Sequence, residues 1–218
     1  MKQIFNNQNK DVNGKNITVI GLGKSGQGAA KLANYLGATV FVSDAISNSS
    51  IKEKSNYLES FGIEVEVGNH SDKIFDSKLW ILSPGVPKNS SILKEAKSMG
   101  VQLISEIEFA SWYAKHQIIG ITGSNGKTTT VNLIEKMCDY ESLNPILGGN
   151  VGTAFSEIIL NDLENKPNKR LYILEISSFQ LEHIISFKPF ISVFLNITPD
   201  HLDRYLDMEE YVNAKINM

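Results

Sequence analysis

Ile118-Ile119-Gly120-Ile121-Thr122-Gly123-Ser124-Asn125-Gly126-Lys127-Thr128-Thr129 begins as a short apolar run, breaks into a glycine-rich turn and ends in residues fit to start a helix. Ile118 to Ile121 has the length of a buried strand. Gly126-Lys127-Thr128 is the end of a phosphate-binding loop. In such a loop backbone N–H groups cradle phosphate, the lysine reaches the outer oxygens and the hydroxyl takes Mg²⁺. The match is imperfect. In the spacing G-x-x-x-x-G-K-[ST] the first glycine position falls on Ile121, and a glycine stands two residues later, at Gly123. Strand, turn and helix nevertheless agree, and a helix is read from Lys127 to about Tyr140.

The same construction occurs upstream. Ile17 to Ile20 is a strand, followed by Gly21-Leu22-Gly23-Lys24-Ser25-Gly26 and a helix from Ser25 to Leu36. Asp44 lies about 20 residues on, after the strand Thr39 to Val42, which completes the context of a dinucleotide fingerprint. Glycines let backbone approach a phosphate, and helix N-terminal N–H groups attract it. Asp44 can accept from a ribose or a base edge. Spacing alone favours NAD and leaves the nucleotide open. A turn that needs glycine for packing is the plain alternative.

Between and beyond these turns, short apolar runs alternate with amphipathic stretches, the pattern of parallel α/β folds. Helices are read at 51–61, 91–99, 105–115 and 153–160. Strands are read at 64–67, 79–82, 101–104, 145–147, 171–176 and 191–195. Glu106 and Glu108 open one helix, where carboxylates suit the helix dipole. Residues 161–170 read as a polar, charged loop, and Met208 starts a final helix. The expected organisation is two α/β units. Residues 1–104 form a Rossmann-like domain. Residues 105–218 form a P-loop-type central domain that stops inside a helix, as a piece of a longer chain does.

Composition narrows the function. The 218 residues carry a net charge of −3, with 42% hydrophobic and 21% charged residues, the mix of a folded protein. Broad electrostatic capture of nucleic acid or anionic membrane wants the opposite sign. No apolar run reaches the roughly 20 residues needed to span a bilayer. Met1 to Asn13 is polar, without a signal-peptide core. Cys138, the single cysteine, excludes an intramolecular disulfide and a cysteine-based zinc cluster and fits a reducing cytoplasm. His70, His116 and His183 read as ordinary loop or helix-end histidines.

Two further clusters carry chemistry. Glu175 ends the apolar run Leu171 to Ile176, where a carboxylate is costly unless charged partners or Mg²⁺ answer it. Asn196-Ile197-Thr198-Pro199-Asp200-His201-Leu202-Asp203-Arg204-Tyr205 follows the last strand, at the end of a sheet where open α/β folds build sites. Lys215 lies four residues after Tyr211, on one helical face, and by itself reads as a surface lysine.

Together with Ser83-Pro84-Gly85-Val86-Pro87 and Gly148-Gly149-Asn150-Val151-Gly152, these motifs make the chain resemble the Mur ligases of peptidoglycan synthesis from about Lys15 onward. Within that family the first glycine turn and Asp-His-Leu-Asp-Arg-Tyr are similar to those of the D-glutamate-adding members. The resemblance implies that the first domain holds UDP rather than NAD, with Lys24, Ser25, Asp44, Ala45 and Gly85 around it. Asn150 and His201 would contact the substrate nearer the reaction, and Ser177, Gln180 and Arg204 would also bind it. Gly123, Ser124, Asn125, Gly126, Lys127, Thr128 and Thr129 would bind ATP. Thr128, Glu175, His201 and a carbamylated Lys215 would hold two Mg²⁺ ions, and Lys127, His201 and Lys215 would serve catalysis.

The implied reaction joins D-glutamate to UDP-N-acetylmuramoyl-L-alanine through an acyl phosphate, in a cytoplasmic, monomeric enzyme. Family members carry a further C-terminal amino-acid-binding domain, which this sequence lacks, so the chain by itself is expected to be inactive. Two rivals stand beside this reading. An NAD-dependent oxidoreductase rests on the glycine fingerprint and Asp44, and leaves the Gly-Lys-Thr loop unexplained. A non-catalytic nucleotide-binding module is the other.

Overall fold

The computed structural model describes residues 10–201 and 203–218; Met1 to Asn9 of the polar leader, and Leu202, lie outside the described residues. The first half of the chain builds β1 (Asn16–Ile20), α1 (Lys24–Tyr35), β2 (Thr39–Asp44), α2 (Ser49–Glu59) and β3 (Glu64–Val67). A 3₁₀ segment (Asp72–Asp76), β4 (Leu79–Leu82), α3 (Ser91–Ser98) and β5 (Gln102–Ser105) follow. The second half builds α4 (Glu106–Ser111), β6 (Gln117–Thr122), α5 (Lys127–Tyr140), β7 (Pro145–Gly149) and α6 (Phe155–Asn165). It ends with β8 (Leu171–Glu175), α7 (Ser178–Leu181), β9 (Ile191–Phe194) and α8 (Met208–Ile216).

Two parallel sheets result, in the orders β3-β2-β1-β4-β5 and β7-β8-β6-β9. In the first, the chain leaves β1 toward β2 and later returns to its other side at β4, so the C-terminal ends of β1 and β4 flank a crevice. Such reversals are where open α/β sheets bind ligands. In the second sheet β6 is the reversal strand, between β8 and β9.

Glycine makes the first turn possible. A Cβ at Gly26, inside the first turns of α1, would sit 1.9 Å from the carbonyl oxygen of Gly21. Only a bare Cα lets the helix start this close to the end of β1.

The two sheets share one apolar core. Ala29, Leu32 and Ala33 of α1 pack in the same cluster as Phe155, Ile158 and Ile159 of α6 and Tyr172 of β8. Phe155 is fully buried, and burying a side chain of that size contributes about 1.5–3 kcal/mol. The Lys31 ammonium crosses the same seam to Glu157 at 2.6 Å.

Three local expectations are corrected. Residues 161–165 continue α6 rather than forming a loop. Asp162 is buried on the inner face of that helix because Arg170 pairs with it at 2.7 Å and the Tyr172 hydroxyl donates to it at 2.8 Å. The same helix starts at Phe155 rather than Thr153, since Thr153 bridges back to Gly148. The helix read at 105–115 stops at Ser111, where the N–H groups of Trp112 and Tyr113 close a tighter turn on Phe109 and Ala110.

Glu106 and Glu108 reach across the molecule instead of only facing their own helix. The Glu108 carboxylate collects the N–H groups of Ile185, Ser186 and Phe187, the Ser186 hydroxyl and the Trp112 indole. Burial opposes its charge, but these donors outweigh burial and hold its pKa below the ordinary 4.5. Glu106 accepts the Ser156 N–H at 2.5 Å, at the start of α6, while its second oxygen is buried with no hydrogen-bond partner among the described residues. Burial pushes its pKa up from 4.5 to about 7, against the Ser156 hydrogen bonds.

A raised carboxylate pKa stabilises the fold at low pH. That contribution is full below about 4.5 and is lost as pH rises to about 7. A shift of this size corresponds to about 3 kcal/mol. Glu106→Gln should therefore raise the thermal unfolding midpoint more at pH 8 than at pH 5. A larger gain at pH 5 contradicts this assignment.

Candidate functional site

A cleft of about 720 Å³ opens at the C-terminal ends of β1 and β4. The first half of the chain contributes Lys24, Ser25, Asp44, Ala45 and Gly85 to its lining; the second half contributes Asn150, just after β7, and Gln180 of α7. These are seven of the ten residues expected to meet the substrate; Ser177, His201 and Arg204 do not line this cleft. The Asp44 carboxylate already accepts the Leu22 N–H at 2.6 Å and the Ile46 N–H at 2.8 Å. It fixes the glycine turn against the loop after β2, and a ligand would share it. His70, read as an ordinary histidine, also lines the cleft, with Nδ1 2.7 Å from the Ser43 hydroxyl. Burial lowers its pKa below 6.5, against the pull of Asp44 and Glu66.

The second turn lies at the end of β6. Ser124 N–H donates to the Asn196 carbonyl at 3.1 Å, and Asn125 N–H donates to the Asn196 side chain at 2.9 Å. The loop after β9 thus shapes the phosphate turn. The N–H groups of Gly126, Lys127 and Thr128 have no acceptor among the described residues. They are the open N-terminus of α5, a helix of 14 residues and a place for an anion.

Two cations converge there. Lys127 Nζ donates to the carbonyls of Gly123 at 2.7 Å and Ser124 at 2.8 Å. Lys215 Nζ, from α8, donates to the same Gly123 carbonyl at 3.0 Å. Lys215 is only 2% exposed, so the expectation of a surface lysine from its sequence position alone is wrong. The helix packs inward through Tyr211, whose hydroxyl lies 3.0 Å from that of Ser124. Burial, then the Lys127 charge, lowers the Lys215 pKa from 10.5 to about 8, with Asp200 opposing.

Glu175 joins the two places. It is 2% exposed at the end of β8. The Thr128 hydroxyl donates to one of its oxygens at 2.7 Å, and the Asn150 amide donates to the other at 2.7 Å. Asn150 therefore belongs both to the first cleft and to the phosphate corner. The turn that presents it needs glycine: Gly149 has φ +98°, and a Cβ there would lie 2.3 Å from the Glu175 carbonyl oxygen.

Thr128 and Glu175 form a hard-oxygen pair at the mouth of the phosphate turn. That donor set suits Mg²⁺, which keeps waters and takes phosphate oxygens. No group of three or more His, Cys, Asp or Glu side chains able to hold a metal occurs among the described residues. His201 stands in a left-handed conformation (φ 55°), its ring 4.7 Å from that of Phe179 and its Nε2 3.5 Å from the Asp200 carboxylate.

Arg204 is engaged by protein. It pairs with Glu182 at 2.7 Å, donates to the Val86 carbonyl at 3.0 Å and covers the Phe179 ring. Ser177 and Gln180 close a capping box at the start of α7. Tyr211, Lys88 and Glu210 were not anticipated as part of this neighbourhood. The only sign in the sequence was the spacing of Tyr211 to Lys215.

Comparison with known proteins identifies the family. Residues 16–92 match the family model described as MurD N-terminal domain, and residues 121–218 match Mur ligase middle domain. A UDP-N-acetylmuramoylalanine--D-glutamate ligase of Christiangramia forsetii is 41% identical over 208 residues, covering 94% of this chain and 45% of the relative. The protein of the same name from Koribacter versatilis is 42% identical over 209 residues, with coverages of 94% and 45%. The solved UDP-N-acetylmuramate:L-alanyl-gamma-D-glutamyl-meso-diaminopimelate ligase from Neisseria meningitides has a similar fold. Its TM-score is 0.57 at 21% identity, over 94% of this chain and 67% of that one. The chain belongs to the Mur ligase family. It spans about 45% of the length of these two curated relatives.

The paired cations give a direct test. In ¹³C-lysine NMR, Lys215 should titrate near pH 8, and Lys127→Met should move that midpoint upward. A midpoint near 10.5, or one indifferent to Lys127→Met, contradicts the arrangement.

Proposed function

We propose that this sequence forms the nucleotide-binding part of an ATP-dependent ligase that adds D-glutamate to UDP-N-acetylmuramoyl-L-alanine in the cytoplasm. The observation that carries the reading is Asn150. One side chain lines the first cleft and holds the carboxylate that faces the phosphate turn. In this reading a substrate lying along the cleft meets the phosphate corner at Asn150. Neither an oxidoreductase nor a single-nucleotide module needs that junction.

In this reading the UDP moiety lies against Lys24, Ser25, Asp44, Ala45 and Gly85, and the peptide end approaches Asn150 and Gln180. ATP lies on Gly123 to Thr129, its phosphates on the open N–H groups of α5 and on Lys127. Lys127 first leaves the loop carbonyls that it now holds. The alanyl carboxylate attacks the γ-phosphorus and ADP departs, leaving an acyl phosphate. The D-glutamate amine then adds to that carbonyl, and phosphate leaves as the amide forms. Lys127 offsets charge on the transferring group, and the fixed N–H groups require little reorganisation. Thr128 and Glu175 would hold Mg²⁺, which neutralises phosphate charge when bound. His201 and Lys215 are assigned beside it.

Carbamylation of Lys215 fits the local electrostatics. Two ammonium groups on one buried carbonyl repel each other. Converting one to a carbamate replaces repulsion with attraction, and a lowered pKa supplies the neutral amine that reacts with CO₂. A D-glutamate site and a single-subunit enzyme belong to the same proposal.

Calorimetric titration should show binding of UDP-N-acetylmuramoyl-L-alanine and none of NADH; tight NADH binding overturns the reading. In the complete ligase, Lys127→Ala should lower ATP-dependent ligation by about 10²-fold or more, the scale of losing one transition-state charge contact. Lys215→Ala should lose activity that short carboxylic acids partly restore. Unchanged activity in either variant removes that residue from the mechanism.

A further inference from the structure

The loop after β4, Ser83 to Pro87, forms one rim of the first cleft. Its continuation, Lys88, leaves the cleft and meets the other half of the molecule. The Lys88 ammonium pairs with the Glu210 carboxylate and lies 5.1 Å from the centre of the Tyr205 ring. Two residues earlier, the Val86 carbonyl accepts from Arg204 at 3.0 Å. The cleft rim is thus tied at two successive points to the segment that starts α8.

Glu210 sits in the first turn of α8. Its second oxygen accepts the Leu206 N–H at 2.8 Å, and its own N–H donates to the capping Asp207 at 2.8 Å. The hydrogen bond from Lys88 leads the effects that hold its carboxyl below the ordinary 4.5. The next residue, Tyr211, reaches Ser124, and one turn further on Lys215 reaches Gly123. A continuous set of contacts runs from cleft rim to helix start to phosphate turn.

We propose that Lys88 and Glu210 are a positioning pair, which sets α8 against the rim of the substrate cleft and so fixes Lys215 and Tyr211 on the phosphate turn. The proposal rests on the ligase reading above, in which Lys215 works beside the transferred phosphoryl group. Neither side chain touches a reacting atom. Both are partly solvent-exposed, at 20% and 32%, and an ion pair of that kind adds little to stability. Its effect is geometric, and small misplacements of a catalytic constellation are costly in rate. Stability and rate should therefore separate.

The test uses the complete ligase, with wild type as the control for the reaction itself. If wild type does not join D-glutamate to the UDP substrate, the ligase reading fails and the pair falls with it. If wild type is active, Lys88→Ala and Glu210→Gln should each lower kcat about tenfold. The KM for the UDP substrate should stay within about twofold, with an unfolding midpoint close to wild type. The exchanged pair, Lys88→Glu with Glu210→Lys, should recover most of kcat. Unchanged kcat in both single variants overturns the proposal. So does a loss of rate matched by a loss of folding stability, or an exchanged pair no better than the singles.

Discussion

A carboxylate buried at the end of a parallel strand must be answered, and Glu175 is answered from two directions. Thr128 approaches from the phosphate turn and Asn150 from the turn after β7. Without both donors, burying that charge would cost several kcal/mol. The pair of hydrogen bonds therefore fixes where two separate loops stand relative to one strand. It also places the first cleft and the open N-terminus of α5 on a common corner.

The rest of the architecture supports that corner. Each turn begins where a parallel strand ends, so its backbone N–H groups face the same end of the molecule as the strand C-termini. The halves are held in register by a shared apolar core, by Lys31 and Glu157, and by Glu106 at the start of α6. That carboxylate is a compromise: it caps one helix with one oxygen and leaves the other unmet among the described residues. Beside the phosphate turn, Lys127 and Lys215 crowd a single carbonyl. That crowding is costly in a fold at rest and suits a place that takes anions.

Much of this was legible in the residues. Parallel α/β alternation, both glycine turns and the strand position of Glu175 follow from local pattern, because turns and buried strands are dictated by near neighbours. What was not legible depended on distant partners. Asp162 reads as part of a solvated loop until Arg170 and Tyr172 cover it. Lys215 reads as surface until α8 folds onto Ser124. Glu106 and Glu108 read as dipole partners of their own helix, yet one caps α6 and the other gathers the backbone at 185–187. Arg204 looks free to meet a ligand, while Glu182 and Val86 already hold it. In each case a charge was visible, and the fold that brings its partner to it was not.

The most direct measurement is a crystal structure of the complete ligase with UDP-N-acetylmuramoyl-L-alanine and a non-hydrolysable ATP analogue bound together. The account predicts uridine beside Asp44, and the alanyl carboxylate meeting the terminal phosphate at the Asn150, Glu175 and Thr128 corner. Ligands whose reactive ends face apart, or a nucleotide triphosphate bound away from the Lys127 turn, would contradict it.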